Sequence, residues 1–300
     1  SQCQARRDDL PSGCAVLLGD RLNPGPRAFV ETRVRHAPNC FPACPVLAAN
    51  AVSIALNGTP IVHDVSFVLR QGTWTGLLGP NGSGKTTLLR ALGGHVAYAG
   101  HIALDGRPLG AWTARERAQR LAYVRQAPSL TFDFTVAELV TMGHAPHVGW
   151  FGTLPTATAD GVHDALAAVG LDGCAERSVL SLSGGERQRA FLAQALVQDT
   201  PLLLLDEPIA HLDVRYQFRF LDRVQRCVAD GKTVLAVFHD LEQAARYADR
   251  LLLLDDGHLV ADGPPGDVLT ASRIRSVFHM SATVQPDSKG HLRIQYRRAC

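Results

Sequence analysis

The chain has 300 residues, 46% of them hydrophobic and 19% charged, which is enough to bury a sizeable core in one large or two medium domains and excludes a disordered chain. A formal net charge of +2 gives no argument for a nucleic-acid partner. Apolar runs such as Leu202–Leu205 are strand-sized, far short of the roughly 18–20 residues that a membrane span needs.

Residues 1–48 stand apart. Their six Arg against four acids account for the net charge, and Pro24, Pro26, Pro38, Pro42 and Pro45 interrupt any helix or strand period. They are expected to be a disordered or non-catalytic leader. Arg6, Arg7, Asp8 and Asp9 precede only the short apolar run 14–18, which does not have the form of a signal peptide, so a cytosol-facing protein is expected. Cys3, Cys14, Cys40 and Cys44 lie here and Cys174, Cys227 and Cys300 elsewhere. The lone Cys40–Cys44 pair has no second pair to complete a zinc site, and the cysteines read as unpaired thiols.

From Val46 the pattern is regular. Residues 52–56 and 61–68 alternate like antiparallel strands about an Asn57-Gly58 turn. Residues 75–78 read as a buried strand, and 87–92 as the first turns of a helix ending at Gly93-Gly94. Residues 101–104 lead into Asp105-Gly106, and 114–120 are a charged stretch with no element assigned. A strand over 121–124 runs to Gln126. Helices are expected over 135–143, 159–170 and 183–197; in the second, Val162, Leu166 and Val169 share one face and Gly170 closes it. Leu202–Leu205 is a buried parallel strand followed by an amphipathic segment through Val228, and 233–238 is the next strand. Residues 251–254 and 258–261 flank a hairpin signal at Asp256-Gly257, and 284–294 read as a terminal strand pair. The sum is an α/β fold with an antiparallel entry and an all-helical insert at about 127–198.

Residues 79–86, Gly-Pro-Asn-Gly-Ser-Gly-Lys-Thr, fit the phosphate-binding loop G-x-x-x-x-G-K-[ST]. Gly79, Gly82 and Gly84 let the backbone turn its N–H groups inward around anionic oxygens. Lys85 brings positive charge to the β- and γ-phosphates, and the Thr86 hydroxyl can ligate Mg²⁺. Pro80, Asn81, Ser83 and Thr87 complete the expected phosphate-contacting stretch, which opens a helix whose N-terminus favours anions. Downstream, Leu202–Leu205 ends in Asp206-Glu207. Carboxylates at the tip of an apolar strand are costly unless a cation or the phosphates use them. Asp206 is therefore expected to hold Mg²⁺, and Glu207 to act as general base on the attacking water. In Leu182-Ser183-Gly184-Gly185-Glu186, Ser183 suits an N-cap with Glu186 closing a capping box, and the glycines expose further N–H groups.

The phosphate loop, Gln126, residues 182–188, residues 205–208 and His239 stand in the order of an ATP-binding-cassette (ABC) protein, and the chain resembles that family over roughly residues 49–300. The Leu-Ser-Gly-Gly-Glu string is specific to the family, whereas the loop alone is shared by many NTPases. The resemblance implies an ATPase with a RecA-like P-loop core, an antiparallel β subdomain and an inserted helical subdomain, using ATP and Mg²⁺. It implies two copies paired head to tail, with Ser183, Gly184, Gly185 and Glu186 meeting ATP held by the partner's phosphate loop. Gln126 would touch Mg²⁺ and sense the γ-phosphate, His239 would bind that phosphate, and Asp213 would lie in the loop crossing the interface. Thr86, Gln126 and Asp206 would be the Mg²⁺ ligands.

Two departures stand out. Ile54-Ala55-Leu56 supply no ring where the family stacks an aromatic on adenine, leaving Leu56 as the apolar substitute, and Ile209 replaces a small hydroxyl residue. Residues 132–147 and 238–249 resemble cassettes serving iron–siderophore, haem and vitamin B12 uptake. On that likeness the chain is expected to be the ATPase subunit of an importer, peripheral to the cytoplasmic face of the inner membrane. Its partners would be separate permease subunits and, indirectly, a substrate-binding protein, with no nucleic acid. An Fe³⁺-siderophore comes first as cargo, with haem and cobalamin as alternatives. His144 and His147 would lie near the groove for the membrane partner rather than bind metal. A cytosolic ABC ATPase assisting iron–sulfur cluster assembly shares every ATP motif and is the competing reading.

Overall fold

The structure is a computed structural model that describes residues 45–125, 132–148, 157–210, 212–288 and 290–297. Strands β1 (Leu47–Leu56) and β2 (Thr59–Leu69) form the expected hairpin, with Leu56 opposite Thr59. The first strand starts at Leu47, ahead of the expected boundary at 49, because Leu47 pairs with both Leu69 and Leu104. β3 (Trp74–Leu78) leads through the phosphate loop into α1 (Lys85–Leu92). β4 (Ala99–Leu104) and the two-residue β5 (Arg107–Pro108) complete an antiparallel sheet ordered β2-β1-β4-β5. The unassigned charged stretch contains a short helix, α2 (Ala114–Ala118). Its start is fixed by a capping box: Thr113 Oγ1 accepts from the Glu116 N–H, and Glu116 Oε2 accepts from the Thr113 N–H.

β6 (Leu121–Val124) is followed by α3 (Val136–Thr141), α4 (Ala157–Val169) and α5 (Gly184–Val197). Thr135 with Glu138 and Ser183 with Glu186 cap α3 and α5 in the same way. Then come β7 (Leu202–Leu205), α6 (Val214–Ala229), β8 (Thr233–Val237), α7 (Leu241–Tyr247), β9 (Arg250–Asp255) and β10 (His258–Gly263). Helices α8 (Pro265–Val268) and α9 (Ala271–Phe278) precede the hairpin of β11 (Ser281–Pro286) and β12 (Leu292–Arg297). The sequence pattern singled out neither α7, α8 nor α9: each is at most eight residues, too short to show a sustained period.

The central sheet runs β10-β9-β3-β8-β7-β6, parallel except for the edge strand β10. It is covered on both faces, which explains its unbroken apolar runs. Trp74, Leu78, Leu203, Leu205, Val234, Ala236, Leu251 and Leu253 join the core on the helical side. Leu77, Leu202, Leu204, Leu235, Val237, Leu252 and Leu254 join the core under α1 and the antiparallel sheet. The alternation is the period-2 geometry of a strand. No helix among the described residues is long and apolar enough to cross a membrane. Leu77 is fully buried between β8 and β9. Leu77→Ala is expected to cost about 2–5 kcal/mol, read as a lower urea midpoint with an unchanged slope.

Candidate functional site

The phosphate loop is held tightly by its surroundings. Gly79 sits at φ 153°, and a Cβ there would lie 2.1 Å from the Leu254 carbonyl oxygen and 2.6 Å from Ser83 Oγ. Only glycine fits. Gly84, at φ 96°, passes against the backbone of Ile61 and leads into α1 with no side-chain cap, so the first N–H groups of that helix open onto the loop. Lys85 is buried, and its ammonium donates to the carbonyls of Gly79 at 2.8 Å and Pro80 at 2.7 Å. Burial lowers its pKa, while the charges of Glu207 and Asp206 oppose that shift. Asn81, Gly82, Gly84, Lys85 and Thr86 of the loop line a cleft of about 290 Å³ with Thr87, Ile61 and Glu207.

Asp206 and Glu207 follow β7 as expected. Asp206 has no exposed surface. Its Oδ1 accepts from the Thr86 hydroxyl at 3.0 Å and its Oδ2 from the Tyr123 hydroxyl at 3.4 Å. Burial pushes its pKa up, and the neighbouring Glu207 adds to the shift; the Thr86 and Tyr123 hydroxyls and Lys85 work against it. Burial and the Asp206 charge in turn raise the Tyr123 pKa. A buried carboxylate beside a second carboxylate is short of positive charge. The hydroxyl and carboxylate oxygens that meet there are the hard donors that Mg²⁺ takes, so the residues fit that ion. Glu207 has φ 50°, in the left-handed region, and its Oε1 lies 2.6 Å from His239 Nε2. His239 follows β8, so the ends of β3, β7 and β8 bring Lys85, Thr86, Asp206, Glu207 and His239 into one region.

The remaining expected site residues are not gathered here. Ser183 and Gly184 are exposed at the start of α5, and with Gly185 they do not line the cleft. The Ser183 hydroxyl donates to Glu186 Oε2 at 2.8 Å and accepts from the Glu186 N–H at 3.3 Å. The Ser183 N–H also donates to Glu186 Oε2, at 2.9 Å, and that bond together with the hydroxyl's holds the Glu186 carboxyl below the usual range, with Arg177 adding to the effect. Asp213 is exposed ahead of α6 and makes no side-chain cap. Gln126 lies outside the described residues. His147 hydrogen-bonds the Gln198 carbonyl at 2.9 Å through Nε2.

Two contributors were not foreseen. Ile61 lines the cleft, and Ile54 is buried in the core. Ile61 opens the apolar run of β2, a signal that gives it no distinction from its neighbours. Tyr123 reaches Asp206 because β6 pairs with β7, a register that only the tertiary structure supplies.

The family model for ABC transporters matches residues 62–210. The chain is 41% identical over 253 residues to the hemin import ATP-binding protein HmuV of Rhodopseudomonas palustris, covering 81% of this chain and 92% of that protein. It is 44% identical over 245 residues to the cobalamin import ATP-binding protein BtuD of Halobacterium salinarum, covering 80% of this chain. The match spans only 61% of that relative's length. Among solved structures, an inward-facing metal-chelate type ABC transporter superposes with a TM-score of 0.71 at 25% identity, covering 85% of this chain and 98% of that one. The chain belongs to the ABC transporter family and carries its P-loop ATPase fold.

Proposed function

We propose that this chain is the ATP-hydrolysing subunit of an importer whose cargo is a metal chelate of the haem and cobalamin class. The observation that carries the ATPase chemistry is the contact of Glu207 with His239 beside a phosphate loop whose Thr86 is bonded to Asp206. The names of its relatives, hemin and cobalamin import proteins, support the cargo class. They give the siderophore, first among the expected cargoes, no such support.

ATP would lie with its phosphates on the loop N–H groups and on Lys85, at the start of α1. Thr86, Asp206 and Gln126 would hold Mg²⁺, which supplies charge neutralisation for the β- and γ-phosphates. Glu207 would take a proton from the attacking water as its oxygen bonds to the γ-phosphorus and the bridging oxygen leaves with ADP. His239, half exposed beside Glu207, would donate to the γ-phosphate. Ser183, Gly184, Gly185 and Glu186 lie apart from the cleft, and Asp213 is exposed, which suits a site completed by a second copy across an interface. That dimer would sit against separate membrane permeases at the cytoplasmic face, served indirectly by a substrate-binding protein. Residues 1–48 would take no part in the chemistry, and a helical subdomain of about 127–198 would face the membrane partner.

Glu207→Gln is expected to keep ATP binding, lower turnover by roughly 10²–10⁴-fold and accumulate as a dimer in Mg-ATP by light scattering. Turnover at the native rate would remove the base assignment. Lys85→Ala and Gly79→Ala are each expected to abolish the thermal shift on adding ATP, the first by removing the charge and the second by forcing the loop off the Leu254 carbonyl. Copurification with a polytopic membrane protein, followed by uptake of haem, cobalamin and an Fe³⁺-siderophore, tests the transport role; a soluble partner alone would count against it.

A further inference from the structure

Glu207 and His239 come from segments far apart in the chain, and a second contact joins the continuations of those segments. Gln217, in the first turn of α6, donates through Nε2 to the carbonyls of Ile209 at 3.2 Å and Leu212 at 2.9 Å. Carbonyl oxygens only accept, so the NH₂ half of the amide must face them and Oε1 must turn away. That oxygen accepts from Nε2 of Gln243 on α7 at 3.3 Å. The backbone N–H of Gln243 is in turn bonded to Oδ1 of Asp240 at 3.0 Å, the residue directly after His239. One amide therefore bridges the turn that follows Glu207 and the helix that follows His239. All three contacts of the Gln217 side chain are partly shielded from water, where an unmet partner is costly.

We propose that Gln217 is a positioning residue for hydrolysis, and that its bond to Gln243 keeps Glu207 and His239 at contact distance. The inference rests on the assignment of those two residues made above. Gln217 does not line the cleft beside the phosphate loop. It acts by fixing the separation of two loops, to which a reaction that depends on the placing of its groups is sensitive at the ångström scale.

The test uses the full chain with ATP, and three variants. Gln217→Leu keeps the volume and removes every bond of the amide. Gln243→Leu leaves the Ile209 and Leu212 carbonyls served and removes only the link between helices. The third is the double variant. Each single variant is expected to lower kcat about tenfold, with the Kd for ATP within about twofold and the melting point within a few degrees. The double variant is expected to be no slower than Gln217→Leu, because the two changes break one contact. A native kcat in folded Gln243→Leu would overturn the inference, as would losses that multiply in the double variant, or an ATP affinity falling in step with kcat. Should Gln217→Leu fail to fold, Gln243→Leu alone decides. Glu207→Gln run in parallel separates the two levels. If it is arrested while Gln243→Leu is fast, only the bridge is wrong; if it turns over normally, the assignment beneath the bridge is wrong.

Discussion

Three neighbouring parallel strands must end at the same edge of a sheet, and everything at the candidate site follows from that. β3, β8 and β7 are adjacent and run the same way, so the segments leaving them emerge side by side. The first segment is the phosphate loop, the second begins with Phe238-His239, and the third is Asp206-Glu207. Residues separated by more than a hundred positions thus come within hydrogen-bond range, as Thr86 and Asp206 do at 3.0 Å. Ligand sites outside the carboxyl ends of strands are the general rule for open α/β sheets. Here the rule places a glycine loop, a buried carboxylate and an imidazole–carboxylate pair on one rim.

The rim is costly to maintain. Asp206 and Lys85 are both nearly without exposure, and burial disfavours the charged form of each. The structure offsets this with local bonds rather than with solvent. Lys85 rests on two loop carbonyls, and Asp206 takes a hydroxyl on each oxygen. Strain is stored as well, at the positive φ of Glu207. Charges and donors held in place by such bonds meet the condition for electrostatic stabilisation without reorganisation.

Much of this was legible in the sequence because the chemistry is local. The phosphate loop, the Leu202–Leu205 run with its two acids and the Ser183–Glu186 capping box each declare themselves within eight residues. The two hairpin turns at Asn57-Gly58 and Asp256-Gly257 did so too. What escaped was short or non-local. The cap of α2 was present as Thr113-x-x-Glu116, but five charged and small residues showed no apolar face. Tyr123 and Ile61 look like ordinary strand residues until pairing places one beside Asp206 and the other against the loop. Gln217 reads as one polar position of an amphipathic helix, and only the fold sets its amide between two loops. Ile61 reaches the cleft because β2 runs beside Gly84.

The sheet divides its residues between two cores one by one, and that division acts as a reading frame. In β7, Leu202 and Leu204 belong to one core and Leu203 and Leu205 to the other. Deleting a single leucine would exchange the two sets and draw each acid one place along the rim, so that Glu207 would arrive where Asp206 now meets Thr86. A change of length is therefore expected to be tolerated in the connections and not within the strand, which can be checked by the stability of single-residue deletions in each.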